Sequence, residues 1–188
     1  MSTELISSTL VHETVRCLAL TVDQYCTIHN IPNLIIIGCL KGALPTMVDL
    51  CKNIKTPFKQ EFVICSSYEG TTSTGNVNIN LLFDPKTIKN TNVLIVEDIV
   101  DTGRTLSNLV NHLKELEANE IITLTLLDKP SRREVFCQPT FVGITIPDAF
   151  VIGYGLDYNQ QYRGLDNIIA LDEQDVRKLE NGGLLFNE

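Results

Sequence analysis

The sequence predicts an α/β fold, a mainly parallel twisted sheet flanked by helices, with a small hood subdomain beside it. Three observations carry the prediction. Short apolar runs alternate with segments whose apolar residues recur at helical spacing, the signature of strand, helix, strand units. The strand candidates are apolar along their whole length, as strands covered on both faces are. One of them, Val93-Leu94-Ile95-Val96, runs into acids and then turns through glycine into a helix. That places polar groups at the carboxyl end of a buried strand, where open α/β sheets bind their ligands.

In chain order, Val11, Val15, Leu18, Ala19, Val22 and Cys26 keep helical spacing, and residues 33–40 form a buried strand. A glycine loop and a short helix through Met47, Val48 and Leu50 follow, then a strand over 58–65, a polar loop, and a returning strand over 77–83. After the acidic strand comes a helix carrying Leu106, Leu109, Val110, Leu113 and Leu116, then a strand over 120–127. Beyond Lys129 the segments 141–146, 150–154 and 168–171 are short and rich in β-favouring residues. They are expected to form the hood with the N-terminal region. The whole of residues 1–188 reads as one domain, with a core at about 34–130 and a hood drawn from the N-terminal region and about 140–172.

Composition narrows the function. The formal net charge of -8 argues against nucleic-acid or anionic-membrane partners, which call for clustered Lys and Arg. No apolar run reaches membrane-spanning length and the first residues lack a signal-peptide pattern, so the cytoplasm is the expected location. The six cysteines fall mostly in apolar stretches without a Cys-x-x-Cys pair, as reduced thiols do. His12, His29 and His112 are scattered and read as surface or packing residues. Neither a P-loop nor a Gly-x-Gly-x-x-Gly turn is present, so an NTPase or dinucleotide enzyme is poorly supported.

The chemistry concentrates in Glu97-Asp98-Ile99-Val100-Asp101-Thr102-Gly103-Arg104-Thr105. An ordinary strand-to-helix turn also uses Asp, Thr and Gly. Three acids within five residues, followed by Thr-Gly-Arg-Thr, exceed what a turn requires. The free N–H groups at the start of the following helix make the loop a phosphate site. An acidic protein holds a polyphosphate only where cations, backbone dipoles or a divalent metal offset the repulsion. Lys41, Arg104, Lys129, Arg132, Arg133 and Arg163 all fall in or near motif loops. Gly38-Cys39-Leu40-Lys41-Gly42-Ala43 is a second strand-to-helix turn, readable by itself as the start of a helix. The hydroxyl-rich stretch from residue 66 to 75 reads either as a mobile lid or as a hairpin tip.

These stretches resemble the motifs of the type I phosphoribosyltransferases, in which the acidic run is the phosphoribosyl diphosphate (PRPP) motif. The resemblance implies that Glu97 and Asp98 hold the ribose hydroxyls, while Asp101, Thr102, Gly103, Arg104 and Thr105 wrap the 5′-phosphate. Leu40, Lys41 and Gly42 match the pyrophosphate loop of the purine members, in which the Leu-Lys bond can be cis, and Arg163 matches their pyrophosphate arginine. Ser67 and Tyr68 match the closing lid, with Glu69 where that family has glycine.

Four motifs in order, over about residues 34–171, resemble the hypoxanthine-guanine branch. There Lys129 would donate to the purine 6-oxygen, Phe150 would stack on the base, the Val151 carbonyl would meet N1 or the 2-amino group, and Asp157 would link to magnesium. The implied metal set is Glu97, Asp98 and Asp157 with Mg2+. The implied reaction is purine salvage: transfer of the 5-phosphoribosyl group from PRPP to N9 of hypoxanthine or guanine, with Asp101 sharing the N7 proton. A homodimer or homotetramer is the expected assembly. Two other readings stay open at this point. A pyrimidine phosphoribosyltransferase has no evident use for Lys129 with Phe150 and Asp157, and a PRPP-sensing regulator should carry a basic nucleic-acid surface.

Overall fold

The computed structural model describes residues 3–67 and 77–186. Its main sheet has six strands in the order β4-β3-β2-β5-β6-β7, formed by β2 (Leu34–Leu40), β3 (Phe58–Ser67), β4 (Val77–Leu81), β5 (Asn92–Val100), β6 (Glu120–Asp128) and β7 (Phe141–Thr145). β4 pairs antiparallel with β3 and every other neighbour is parallel, as the apolar strands predict. Helices α1 (Ser8–Ile28), α2 (Leu44–Asn53) and α3 (Arg104–Glu115) cover it. β2 and β5 sit at its centre, and Ile36, Ile37, Val93, Leu94, Ile95 and Val96 are sealed from water. Each such side chain contributes about 1.5 to 3 kcal/mol of burial, so the middle of the sheet carries much of the core's hydrophobic stabilisation.

The hood is a three-stranded antiparallel sheet in the order β1-β9-β8, made of β1 (Thr3–Ile6), β9 (Ile168–Leu171) and β8 (Phe150–Ile152). A small cluster of Ile152, Ile169, Leu171 and Leu179 backs it, the last from α4 (Glu173–Glu180), whose Asp172 and Asp175 form a capping box. Two expectations about its make-up need correction. The segment beginning at Phe141 belongs to the main sheet: β7 pairs in parallel register with β6, Leu124 beside Phe141 and Leu127 beside Ile144. Of the N-terminal region only β1 joins the hood, while Val11, Val15, Ala19 and Val22 of α1 pack into the main core. A short apolar run carries no mark of which sheet it will join, because pairing partners are chosen at long range.

One polar cluster ties the hood to the core. The Tyr154 hydroxyl, just past β8, donates to Asp49 Oδ2 of α2 at 2.7 Å. His12 of α1 lies 3.4 Å from the same oxygen and 3.6 Å from Asp166 Oδ1. His12 is therefore part of an inter-element clamp as well as a packing residue.

Candidate active site

The carboxyl ends of β2 and β5 open into a cavity of about 350 Å³ lined by Leu40, Gly42, Glu97, Asp98, Asp101, Thr102, Gly103, Thr105, Asp157 and Arg163 among others. The sequence reading placed these residues in three separate motifs, and the sheet brings them to one rim. After β5, the chain turns through Gly103, whose φ of 81° is the left-handed conformation that glycine adopts without steric cost. A Cβ there would also sit 2.8 Å from Cys137 Cβ. Gly103 is the N-cap of α3 and offers no side-chain cap, so the N–H groups of Thr105 and Leu106 in the first turn stay available to an anion. Thr102 Oγ1 accepts from the Arg104 N–H at 3.3 Å. The Arg104 side chain turns elsewhere: its guanidinium pairs with Glu134 at 2.6 Å, and the residue does not line the cavity.

Asp98 and the loop after β2 press together. A Cβ on Gly42 would lie 1.6 Å from Asp98 Oδ2, so only glycine admits the carboxylate there. The Leu40-Lys41 peptide is cis. Removal from water pushes the Asp98 carboxyl up to about 6, with the Asp157 charge adding to it and the Ile99 N–H and Arg163 opposing. Burial holds the Glu97 carboxyl well above the ordinary range, the Asp98 charge reinforcing the effect. One Glu97 oxygen, Oε1, is buried without a hydrogen-bond partner.

Arg163 organises the opposite wall. Its guanidinium donates to the Gly155 carbonyl at 2.6 Å and pairs with Asp157 at 2.7 Å. Gln160 links it to the first loop: its Oε1 accepts from Lys41 Nζ at 2.9 Å and from Arg163 at 3.2 Å, while its own N–H donates to Asp157 Oδ2 at 2.8 Å. Sequence reasoning missed Gln160, since a surface glutamine in a turn carries no signal of such a joint.

Of the base residues Asp157 lines the cavity, whereas Lys129, Phe150 and Val151 are outside its lining. Lys129 follows β6 and is buried, unusual for a lysine, and its N–H donates to the Val100 carbonyl at 3.0 Å. Its ammonium lies 3.6 Å from Asp101 Oδ2. Phe150 opens β8 with 47% of its surface exposed, edge-on to Tyr158 at 5.9 Å, while Val151 is buried. Arg133, noted from sequence only as a nearby cation, buckles the two strand ends: Nη1 donates to the Val100 and Asp101 carbonyls at 2.6 and 2.5 Å, and Nη2 pairs with Asp128. β3 ends at Ser67, and the remainder of the expected lid, Tyr68 and Glu69 included, lies outside the described residues.

Among the described residues no group of three or more His, Cys, Asp or Glu forms a ready-made metal site. Acidic oxygens at this rim nonetheless suit magnesium, which takes one or two carboxylates and completes its shell with water and substrate oxygens.

A mainly parallel sheet with a glycine-turned acidic loop and a helix N-terminus at its rim is the architecture of an anion-binding α/β protein. The sequence profile described as a phosphoribosyl transferase domain matches residues 8–159, and the chain belongs to that family. A hypoxanthine-guanine phosphoribosyltransferase of Streptococcus pneumoniae is 46% identical over 143 residues, covering 76% of this chain and 79% of that protein. A Haemophilus influenzae hypoxanthine phosphoribosyltransferase is 41% identical over 90% of this chain and 96% of its own length. Among solved structures, a hypoxanthine phosphoribosyl transferase from Trypanosoma cruzi superposes with a TM-score of 0.88 at 33% identity, over 95% of each chain. One from Staphylococcus aureus gives 0.83 at 37% identity, over 92% of each chain.

Proposed function

We propose that this chain is a purine-salvage enzyme that transfers the 5-phosphoribosyl group of PRPP to N9 of hypoxanthine or guanine, releasing pyrophosphate and giving IMP or GMP. The observation that carries the reading is the pairing of the phosphate-loop acid Asp101 with the buried Lys129 across the end of the sheet. Relatives 41 to 46% identical bear the names of this activity. A pyrimidine enzyme has no evident use for Lys129 together with Phe150 and Asp157.

The loop at 102–105 and the start of α3 take the 5′-phosphate through backbone N–H groups and threonine hydroxyls, with Arg104 contributing its backbone. Glu97 and Asp98 hold the ribose hydroxyls. Leu40, Lys41, Gly42 and Arg163 receive the pyrophosphate, and the Lys41–Gln160–Arg163 joint sets the spacing of the two cations. Glu97, Asp98 and Asp157 would hold magnesium, which when bound neutralises the leaving group. Lys129 donates to the purine 6-oxygen, Phe150 stacks on the ring, and the Val151 carbonyl takes the edge at N1 or the 2-amino group. As the bond to pyrophosphate lengthens and the sugar carbon gains positive charge, N9 attacks, and Asp101 shares the N7 proton. Ser67 and Tyr68 are assigned to closing the site.

A homodimer or homotetramer in the cytoplasm completes the reading; no described helix is long and apolar enough to cross a membrane. One spectrophotometric comparison of guanine, hypoxanthine, xanthine, adenine and uracil with PRPP and magnesium tests it. Turnover of hypoxanthine and guanine with rejection of adenine and uracil is expected. Equal use of adenine or uracil would remove Lys129 and Phe150 from an oxopurine pocket.

A further inference from the structure

Asp101 has two cationic neighbours, and they take different oxygens. Lys129 Nζ is 3.6 Å from Oδ2, whereas Arg132 Nε donates to Oδ1 at 3.3 Å. Arg132 closes the short 3-10 turn Pro130–Arg132 that begins at Lys129, and it also lies 3.8 Å from Asp148 Oδ1. Asp148 stands two residues before Phe150. One guanidinium therefore spans the phosphate-loop acid and the turn that leads into the hood strand.

The two partners differ in what substrate does to them. Lys129 is buried, and a purine 6-oxygen competes for its ammonium, whose 3.6 Å contact with Oδ2 is an ion pair longer than a hydrogen bond. Arg132 is half exposed on the other side of the carboxylate and is not needed by the base. The terminal torsion of an aspartate is broad and roughly two-fold, so a carboxylate held through one labile partner does not present a fixed oxygen. With Oδ1 held by Arg132, Oδ2 is the oxygen left to face N7.

We propose that Arg132 is a positioning residue for Asp101: braced by Asp148, it holds Oδ1 so that Oδ2 meets the purine N7 once Lys129 has turned to the 6-oxygen. This rests on the reading of Asp101 as the group that shares the N7 proton. Because Arg132 is exposed and its pairs are near-surface, they add little to folding, and its effect falls on turnover. A lysine reaches a single oxygen with one N–H donor and so substitutes in part, whereas glutamine lacks the charge.

Steady-state kinetics of Arg132→Ala, Arg132→Gln and Arg132→Lys, each also made in an Asp101→Asn background, with PRPP affinity and Tm measured alongside, test the assignment. Arg132→Ala and Arg132→Gln are expected to lower kcat about ten-fold, the scale of loss when a catalytic group is mispositioned by a fraction of an ångström, with PRPP affinity and Tm unchanged. Arg132→Lys should recover most of that loss. In the Asp101→Asn background Arg132→Ala should cost nothing further, because a residue that acts through another is silent once the other is gone. Native turnover in Arg132→Ala, or a full additional loss on top of Asp101→Asn, overturns the positioning role while leaving Asp101 in place. Native turnover in Asp101→Asn alone overturns the reading of Asp101 itself.

Discussion

Glu97, Asp98 and the phosphate loop lie within positions 97–105, on one strand end and the helix that follows it, whereas Lys129, Phe150, Val151 and Asp157 are spread over 129–157 and come from the end of β6, from β8 and from the turn beyond. The first group is held mainly by its own backbone: a left-handed glycine, an uncapped helix start and a buried strand. The second is held by side chains that reach across the fold, with Arg163 gripping Asp157 and Gly155 and Tyr154 anchoring to α2, while Arg133 ties the Val100 and Asp101 carbonyls of the first group to Asp128 at the end of β6. Phosphate recognition needs N–H groups, which any sequence supplies once the turn forms. Base recognition needs particular side chains at particular places, which only packing supplies.

The comparison breaks first at Asp101, the residue shared by both halves. Asp101→Asn should lower turnover by about 10² to 10⁴ while leaving PRPP affinity nearly native, since the loop's N–H groups are untouched. A loss of PRPP affinity as large as the loss of turnover would move Asp101 into the phosphate half alone. Gly42→Ala tests the half that holds PRPP. Its Cβ would fall 1.6 Å from Asp98 Oδ2, and a forced displacement of about 1 to 3 kcal/mol should weaken PRPP binding roughly 10- to 100-fold, read by calorimetry. Native affinity in that variant would mean that Asp98 moves aside freely.

Lys129→Ala sharpens the base half. Removing the donor to the 6-oxygen should weaken use of hypoxanthine and guanine by about 1 to 3 kcal/mol with PRPP binding spared. An equal fall in PRPP affinity would erase the division between the halves.

The mildest expected effect is on pH. The Asp98 carboxyl is raised to about 6, so the free protein favours its protonated form: that contribution to stability is complete below the ordinary carboxylate range and is lost as pH rises through 6. Holding a ribose hydroxyl by the ionised carboxylate works in the other direction. PRPP affinity should fall as pH drops through 6, approaching about ten-fold per pH unit for one coupled proton. PRPP itself titrates, so the relevant measurement is the difference in pH dependence between the native protein and Asp98→Asn, and identical profiles would detach Asp98 from the ribose.

Much of this was legible from residues alone, for identifiable reasons. β2 and β5 announce themselves because strands buried on both faces must be apolar throughout, and the start of α3 because glycine, threonine and a spaced leucine face leave few alternatives. The phosphate loop is a local object, so its residues stay together in sequence as they do in space. The side-chain direction of Arg104, paired outward with Glu134, was not legible, because both ends of that pair are ordinary surface residues. Nor were the Gln160 joint between Lys41 and Arg163, the Arg132 bridge to Asp148, or the His12 clamp, each made by residues distant in sequence or ambiguous in type.

The sequence by itself determined the α/β class, the position of the phosphate loop at a strand end and the chemistry available there, because hydrophobic periodicity and turn chemistry act over neighbouring residues. Only the tertiary structure decided that the Phe141 strand joins the main sheet, that α1 covers the core while β1 completes the hood, and that a buried lysine faces Asp101. Those outcomes depend on which surfaces bury one another, a competition among contacts far apart in the chain, and no local pattern of residues encodes its result.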